Sequence, residues 1–255
     1  MKKTVNRCRN CNNEFEGIYC NVCGQKAAHR LDTKHVIHEI LHVFTHTDKG
    51  ILSFIPIIMF RPGIFALDYV EGRRKRYFNV FQYLVIVVGI ITFLMTKTHY
   101  MENIAITFDP SSGKASVIVR SVQEKLVNAI QRYLNLFLFA LIPVFTFFNW
   151  FFFKSEKYNY AENFVLQMAV QAQINTYTLI VVMPLSFMLN KEQHKLIVPV
   201  SLLILLTCST VGNTQFFKVS WFQGFLKGLL VCICTNVIQT FILFIVVTII
   251  IILKL

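Results

Sequence analysis

Five stretches of this chain are so apolar, over so many consecutive residues, that a water-soluble fold could not cover them. They run over 79–95, 133–153, 164–189, 196–212 and 228–253, and none contains an Asp, Glu, Lys or Arg. A helix needs about 20 residues to cross the ~30 Å apolar core of a bilayer, so each is read as a transmembrane helix. The first and fourth are short and the fifth is long, which permits tilt without fixing an angle. Composition agrees: only 15% of residues are charged, against the ~25% a soluble domain uses to cover its surface.

Charge orients the helices. Residues 1–78 carry 13 Lys/Arg against 7 Asp/Glu, and Arg73, Arg74, Lys75 and Arg76 abut the first span. Basic residues near a span are retained on the cytoplasmic side. With five crossings this places 17 basic residues inside and 8 outside, the N-terminus in the cytoplasm and the C-terminus outside. No apolar core follows Met1-Lys2-Lys3-Thr4, so no cleaved leader is expected, and the N-terminal cysteines are expected to stay in a reducing compartment. The localisation expected is the inner (cytoplasmic) membrane.

Ahead of the first span, residues 31–78 form an interfacial or re-entrant segment. Over His35–Thr47, Val36, Ile37, Ile40, Leu41, Val43 and Phe44 share one side of a helix, and His35, His38, His42 and His46 fall within about 80° of the other. The apolar run 51–60 ends at Arg61-Pro62-Gly63 and is too short to span. A sixth crossing there would put Arg61 or Asp68 in lipid at high cost. The extracytoplasmic loop, about 97–132, contains a hairpin pattern around Asp109-Pro110 and a capping box starting at Ser121.

The one strong chemical signature is at the N-terminus. Cys8-x2-Cys11 and Cys20-x2-Cys23 are separated by eight residues. Each pair makes a tight turn that aims two sulfurs at one point, and two such turns supply the tetrahedral thiolate shell that Zn2+ prefers. Asn12 and Gly24, each following a pair, tolerate the left-handed backbone such turns use. Four thiolates leave no open position for water, so the expected Zn2+ is structural, and residues 1–30 are read as a zinc ribbon. The fold class expected is therefore an all-α polytopic membrane protein of about five helices, with this ribbon and an interfacial amphipathic helix before the membrane domain, 79–255. Unligated thiols, a redox pair and an iron centre are the alternatives.

The order of these features resembles a family of bacterial multi-pass membrane proteins that share a domain of unknown function. The resemblance rests on Cys20–Gln25, on Pro62-Gly63, and on Gly72-Arg73-Arg74-Lys75-Arg76-Tyr77-Phe78-Asn79. It is best over residues 7–84, and Val80 stands where the family pattern carries proline. It implies a membrane location and a zinc site, and no activity.

Weaker candidates each have two readings. The four histidines are a second metal or pH-sensing site, or simply the polar face of an amphipathic helix. Arg73–Arg76 contact anionic lipid head groups as a positive-inside anchor; nucleic acid is not an expected partner, because stacking aromatics are not evident. Gln167, Gln171, Gln173 and Asn175 in the third span, with Asn236 and Gln239 in the last as plausible partners, either line a polar path or bond helix to helix. No phosphate-binding loop, nucleophile elbow or embedded carboxylate pair appears, so no catalytic residues are assigned. The functional expectation is a non-enzymatic inner-membrane module whose ribbon docks a cytoplasmic protein partner. A small transporter or channel using the third span is the rival, and a lipid-acting enzyme using the histidines a third reading.

Overall fold

A computed structural model describes residues 5–27, 30–33, 50–97 and 139–252. The histidine stripe, the hairpin and capping box of the loop, and the first six residues of the expected second span lie outside the described residues. The chain is mainly helical. Four helical segments are long and apolar enough to cross a membrane: Val80–Lys97, Tyr160–Met188, Gln193–Phe217 and Trp221–Ile242. These correspond to four of the five expected spans, and Phe139–Phe152 is the described part of the other.

The first two helices are α1 (Ile51–Phe60) and α2 (Pro62–Val70), which meet at 108°. Pro62 has no amide hydrogen to continue α1, yet its fixed φ suits the first position of a new helix, so one apolar run becomes two helices. The pair reads by length and composition as a broken span or a re-entrant loop. A loop, 71–79, leads to α3 (Val80–Lys97). Asn79 caps α3, its Oδ1 accepting from the amides of Phe81 at 2.9 Å and Gln82 at 3.3 Å. Val80 in place of proline costs α3 little, because the amide at the first helical position has no helical acceptor anyway.

Then come α4 (Phe139–Phe152) and α5 (Tyr160–Tyr177), the latter continuing through a π-turn, Thr178–Val182, into α6 (Met183–Met188). A 3-10 turn, Lys191–Leu196, leads into α7 (Ile197–Phe217), and α8 (Trp221–Ile252) ends the described chain. Several helices start earlier than hydropathy suggests. α5 starts at Tyr160 because Asn159 and Glu162 form a reciprocal capping box, and α8 starts at Trp221. Glu162 is thereby drawn into the helix and is only 3% exposed.

Packing centres on α5. Tyr83, near the start of α3, meets Thr176 of α5 through a 2.7 Å hydroxyl contact. Thr176 lies 16 residues, or about 24 Å of rise, beyond Tyr160. α3 therefore leaves the first half of α5 uncovered, and the α1–α2 pair packs there: Phe54, Ile58, Phe65 and Leu67 join Leu166, Ala169 and Val170 in the main core. α7 closes the other side, and here the backbones nearly touch. A Cβ on Gly63 would lie 2.3 Å from the carbonyl oxygen of Gly212.

The break between α1 and α2 exposes backbone groups that a lipid environment cannot satisfy. Side chains of α5 and α7 satisfy them. Gln173 Nε2 donates to the Met59 carbonyl at 2.7 Å, and the Tyr177 hydroxyl donates to it at 3.2 Å. Gln215 Nε2 donates to the Phe60 carbonyl at 2.9 Å, while its Oε1 accepts from Gly63 N–H at 3.1 Å.

Candidate metal centre

The ribbon begins with a two-stranded antiparallel sheet, β1 (Val5–Arg7) and β2 (Glu14–Glu16), in which Asn6 faces Phe15. Three-residue strands cannot hold together alone, and among the described residues the apolar cluster beneath them is Phe15 with cysteines and Ala27. The rest of the unit is two turns of the same construction. In the first, Cys8 N–H donates to the Asn13 carbonyl at 2.8 Å and Asn12 N–H to the Cys8 carbonyl at 2.9 Å. In the second, Cys20 N–H donates to the Gln25 carbonyl and Gly24 N–H to the Cys20 carbonyl, both at 2.8 Å. Asn12 (φ 60°) and Gly24 (φ 67°) take the left-handed conformation that lets each turn reverse after its second cysteine.

These turns bring all four sulfurs within 4.8 Å of one another. Cys8 and Cys23 are 3.5 Å apart, and Cys11 and Cys20 3.6 Å. That is far beyond the ~2.05 Å of a disulfide. It is close to the ~3.8 Å edge of a tetrahedron with ~2.3 Å metal–sulfur bonds. The residues therefore fit a four-coordinate metal ion.

Hydrogen bonding favours the thiolate at two of the four cysteines. Backbone hydrogen bonding, with the Cys23 amide foremost and Val22 adding to it, holds the Cys20 thiol down at about 6. Cys23 is lowered as well; burial opposes this, but the Gln25 amide and the Asn10 side chain outweigh it. Cys11 is pushed up to about 12: the Asn13 amide pulls it down, but burial and the other three sulfurs together outweigh that bond.

The ribbon does not stand free. Gln25 is 6% exposed, its Nε2 donates to the Gly72 carbonyl, and its Oε1 accepts from Lys75 N–H at 3.3 Å. Arg9, inside the first turn, donates to the Glu71 carbonyl at 3.1 Å. Below these contacts, Arg73 pairs with Asp68 and with Glu71, and the Tyr77 hydroxyl donates to Asp68. The bond to Asp68 is the main reason the Arg73 guanidinium holds its proton more tightly than usual. Burial, then Asp68, pushes the Tyr77 phenol up to about 12. Arg74 and Arg76 lie over the rings of Tyr69 and Tyr77, 5.4 and 5.8 Å from their centroids. Of the basic run, Arg73 is thus spent on an internal network, and Lys75 and Arg76 are exposed.

Residues 48–92 match the family described as "Protein of unknown function (DUF3667)". No curated protein and no solved structure matches the chain. The matched segment contains α1, α2, the 71–79 loop and most of α3, so it includes the loop that Gln25 and Arg9 grip, while the four cysteines lie outside it.

The remaining sequence candidates are dispersed. Asn175 donates to its own helix at Gln171, and Asn236 to its own helix at Cys232. Asn236 also borders a shallow ~500 Å³ groove with Val237, Thr240 and Phe241. Gln167 is buried and Gln171 half-buried. Three buried amide oxygens, Asn149 Oδ1, Gln173 Oε1 and Asn213 Oδ1, have no protein partner among the described residues. Sequence reasoning did not single out Arg30–Glu162, joined at 2.9 and 3.2 Å. Asn159, whose Nδ2 donates to the Leu31 carbonyl at 2.9 Å, ties the same segment to the start of α5. Both were missed for one reason: they lie just before the apolar run, where hydropathy sees only a boundary.

Proposed function

We propose that this chain is a non-enzymatic module of a bacterial inner membrane, which docks a cytoplasmic protein through a zinc-loaded ribbon. One observation carries the reading: the ribbon is gripped along one side by the 71–79 loop and leaves Ile18, Tyr19 and Val22 exposed at 63, 61 and 66%. Zinc is the ion that best suits a closed shell of four thiolates with no open position. A cytoplasmic ribbon is supported by the charges around it. Arg73–Arg76, Lys157, whose carbonyl accepts from Arg30, and Lys227, over the Phe153 ring at 4.6 Å, lie in or beside the interhelical loops that meet residues 9–31 or pack next to them. The lipid contacts of this end then fall to Lys75 and Arg76 rather than to Arg73.

Elemental analysis of the purified protein should find one zinc per chain, and Cys11→Ser or Cys23→Ser should each lose it. A photo-crosslinker at position 22 in intact cells should capture a cytoplasmic protein, and Cys11→Ser should abolish the adduct. Full zinc in both serine variants would remove the metal assignment. An extracytoplasmic adduct, or none, would remove the docking role.

The transporter reading keeps one supporting observation, the three unpartnered amide oxygens inside the bundle. Solute flux through the reconstituted protein, lost in Asn213→Leu with folding unchanged, would favour it over docking.

A further inference from the structure

We propose that the ribbon is a metal-dependent latch on the loop that enters α3, closed by Gln25 and Arg9. This rests on the metal reading above and concerns what metal occupancy controls. The two clamping side chains come from different turns: Arg9 lies between Cys8 and Cys11, and Gln25 follows Cys23 by two residues. Both reach one short stretch of backbone, Glu71 to Lys75. Each can do so only while the two turns are held at a fixed separation.

Little besides the four thiolates fixes that separation. The sheet has three residue pairs, and Phe15 is the one large buried apolar side chain in the ribbon core. A unit of this kind takes its folding free energy from the metal. Gln25 is moreover part of the second turn itself, since its carbonyl accepts from Cys20 N–H. Loss of the ion therefore releases both clamps in one event, and the buried Gly72 carbonyl loses its side-chain donor.

The loop has a second set of restraints that do not depend on the ribbon. Arg73 with Asp68 and Glu71, Tyr77 with Asp68, and the Arg73 amide with the Asp68 carbonyl at 2.8 Å tie it to α2. The latch thus controls the outer turn alone. Opening it frees the backbone around Lys75, and leaves α2 and its packing in place.

Hydrogen exchange of the full-length protein in nanodiscs, read by mass spectrometry, tests this. Removing zinc with a chelator should raise exchange over 74–76, where Gln25 holds the Lys75 amide, at least about fivefold, and leave 62–73 unchanged, because those amides are bonded within α2 and its end. Gln25→Ala, which removes no ligand, should retain its zinc by elemental analysis and still raise exchange over 74–76. Arg9→Ala should do the same to a smaller degree, and its result decides the matter if Gln25→Ala proves to lose metal. Native exchange in a zinc-loaded Gln25→Ala protein would overturn the latch while leaving the metal site standing. A rise that spreads equally through 62–70 would also overturn it, because the effect would then be unfolding of α2. Purified protein without zinc would defeat the metal reading and with it the metal dependence of the latch, and the Gln25→Ala comparison would then report on the clamp itself.

Discussion

Gly63→Ala is expected to be among the most damaging single-methyl additions in this chain, lowering the thermal midpoint of the purified protein by about 6–12 °C. The new Cβ would meet the Gly212 carbonyl oxygen at 2.3 Å, Gln215 Cβ at 2.6 Å and the Phe216 amide nitrogen at 2.8 Å. Two of these are backbone atoms of α7, which cannot rotate away, so α2 and α7 must separate. Overpacking typically costs 1–3 kcal/mol, and a clash with backbone belongs at about 3 kcal/mol. At roughly 2–4 °C per kcal/mol for a chain of this size, that gives the stated shift. Gly212→Ala is expected to cost less, because its nearest obstacle at 2.4 Å is a methyl of Val170, which a small side-chain movement relieves. Gly89→Ala is the control. Nothing lies within 4 Å of its Cβ, and a glycine inside α3 favours the unfolded chain, so the change should be neutral or slightly stabilising. Equal effects at Gly63 and Gly89 in a thermal scan would show that the α2–α7 approach is not as close as described.

The same three glycines show what could be read from residues alone. Pro62-Gly63 was legible as a break, because proline lacks an amide hydrogen and glycine interrupts a helical pattern. That Gly63 is also the contact point with α7 was not legible, since its neighbour Gly212 is about 150 residues away in the chain. The spans were legible because lipid imposes one strong requirement, apolar length, on each segment independently of the others. Their boundaries were not, because capping by Asn159 and burial of Glu162 extend α5 into sequence that hydropathy scores as polar. The cysteine cluster was legible down to the left-handed Asn12 and Gly24, since spacing and turn chemistry are local. Its docking through Gln25 was not, since Gln25 lies 47 and 50 residues away in the chain from the Gly72 carbonyl and the Lys75 amide that it holds.

Gln215→Leu is the second large effect expected, a loss of about 2–4 kcal/mol, and it tests how a break in a helix is tolerated inside an apolar bundle. Gln215 serves two backbone groups at once, accepting from Gly63 N–H and donating to the Phe60 carbonyl. Leucine has similar volume and greater apolarity, so packing alone would predict little change. Two orphaned backbone groups at about 1–3 kcal/mol each would predict up to about 6. The side chain is half-buried, and water reaching the Phe60 carbonyl would recover part of that. Gln173→Leu provides the comparison. It removes one donor to the Met59 carbonyl, but the Tyr177 hydroxyl also donates there at 3.2 Å, so about 1 kcal/mol should be lost. Adding Tyr177→Phe should then cost more than the sum of the two single changes, because the second loss leaves the carbonyl with no donor. Chemical unfolding in nanodiscs would measure all four proteins. If Gln215→Leu matches Gln173→Leu, the α1–α2 break is satisfied by solvent rather than by α7, and the pair lies shallower in the membrane than its packing against α5 implies.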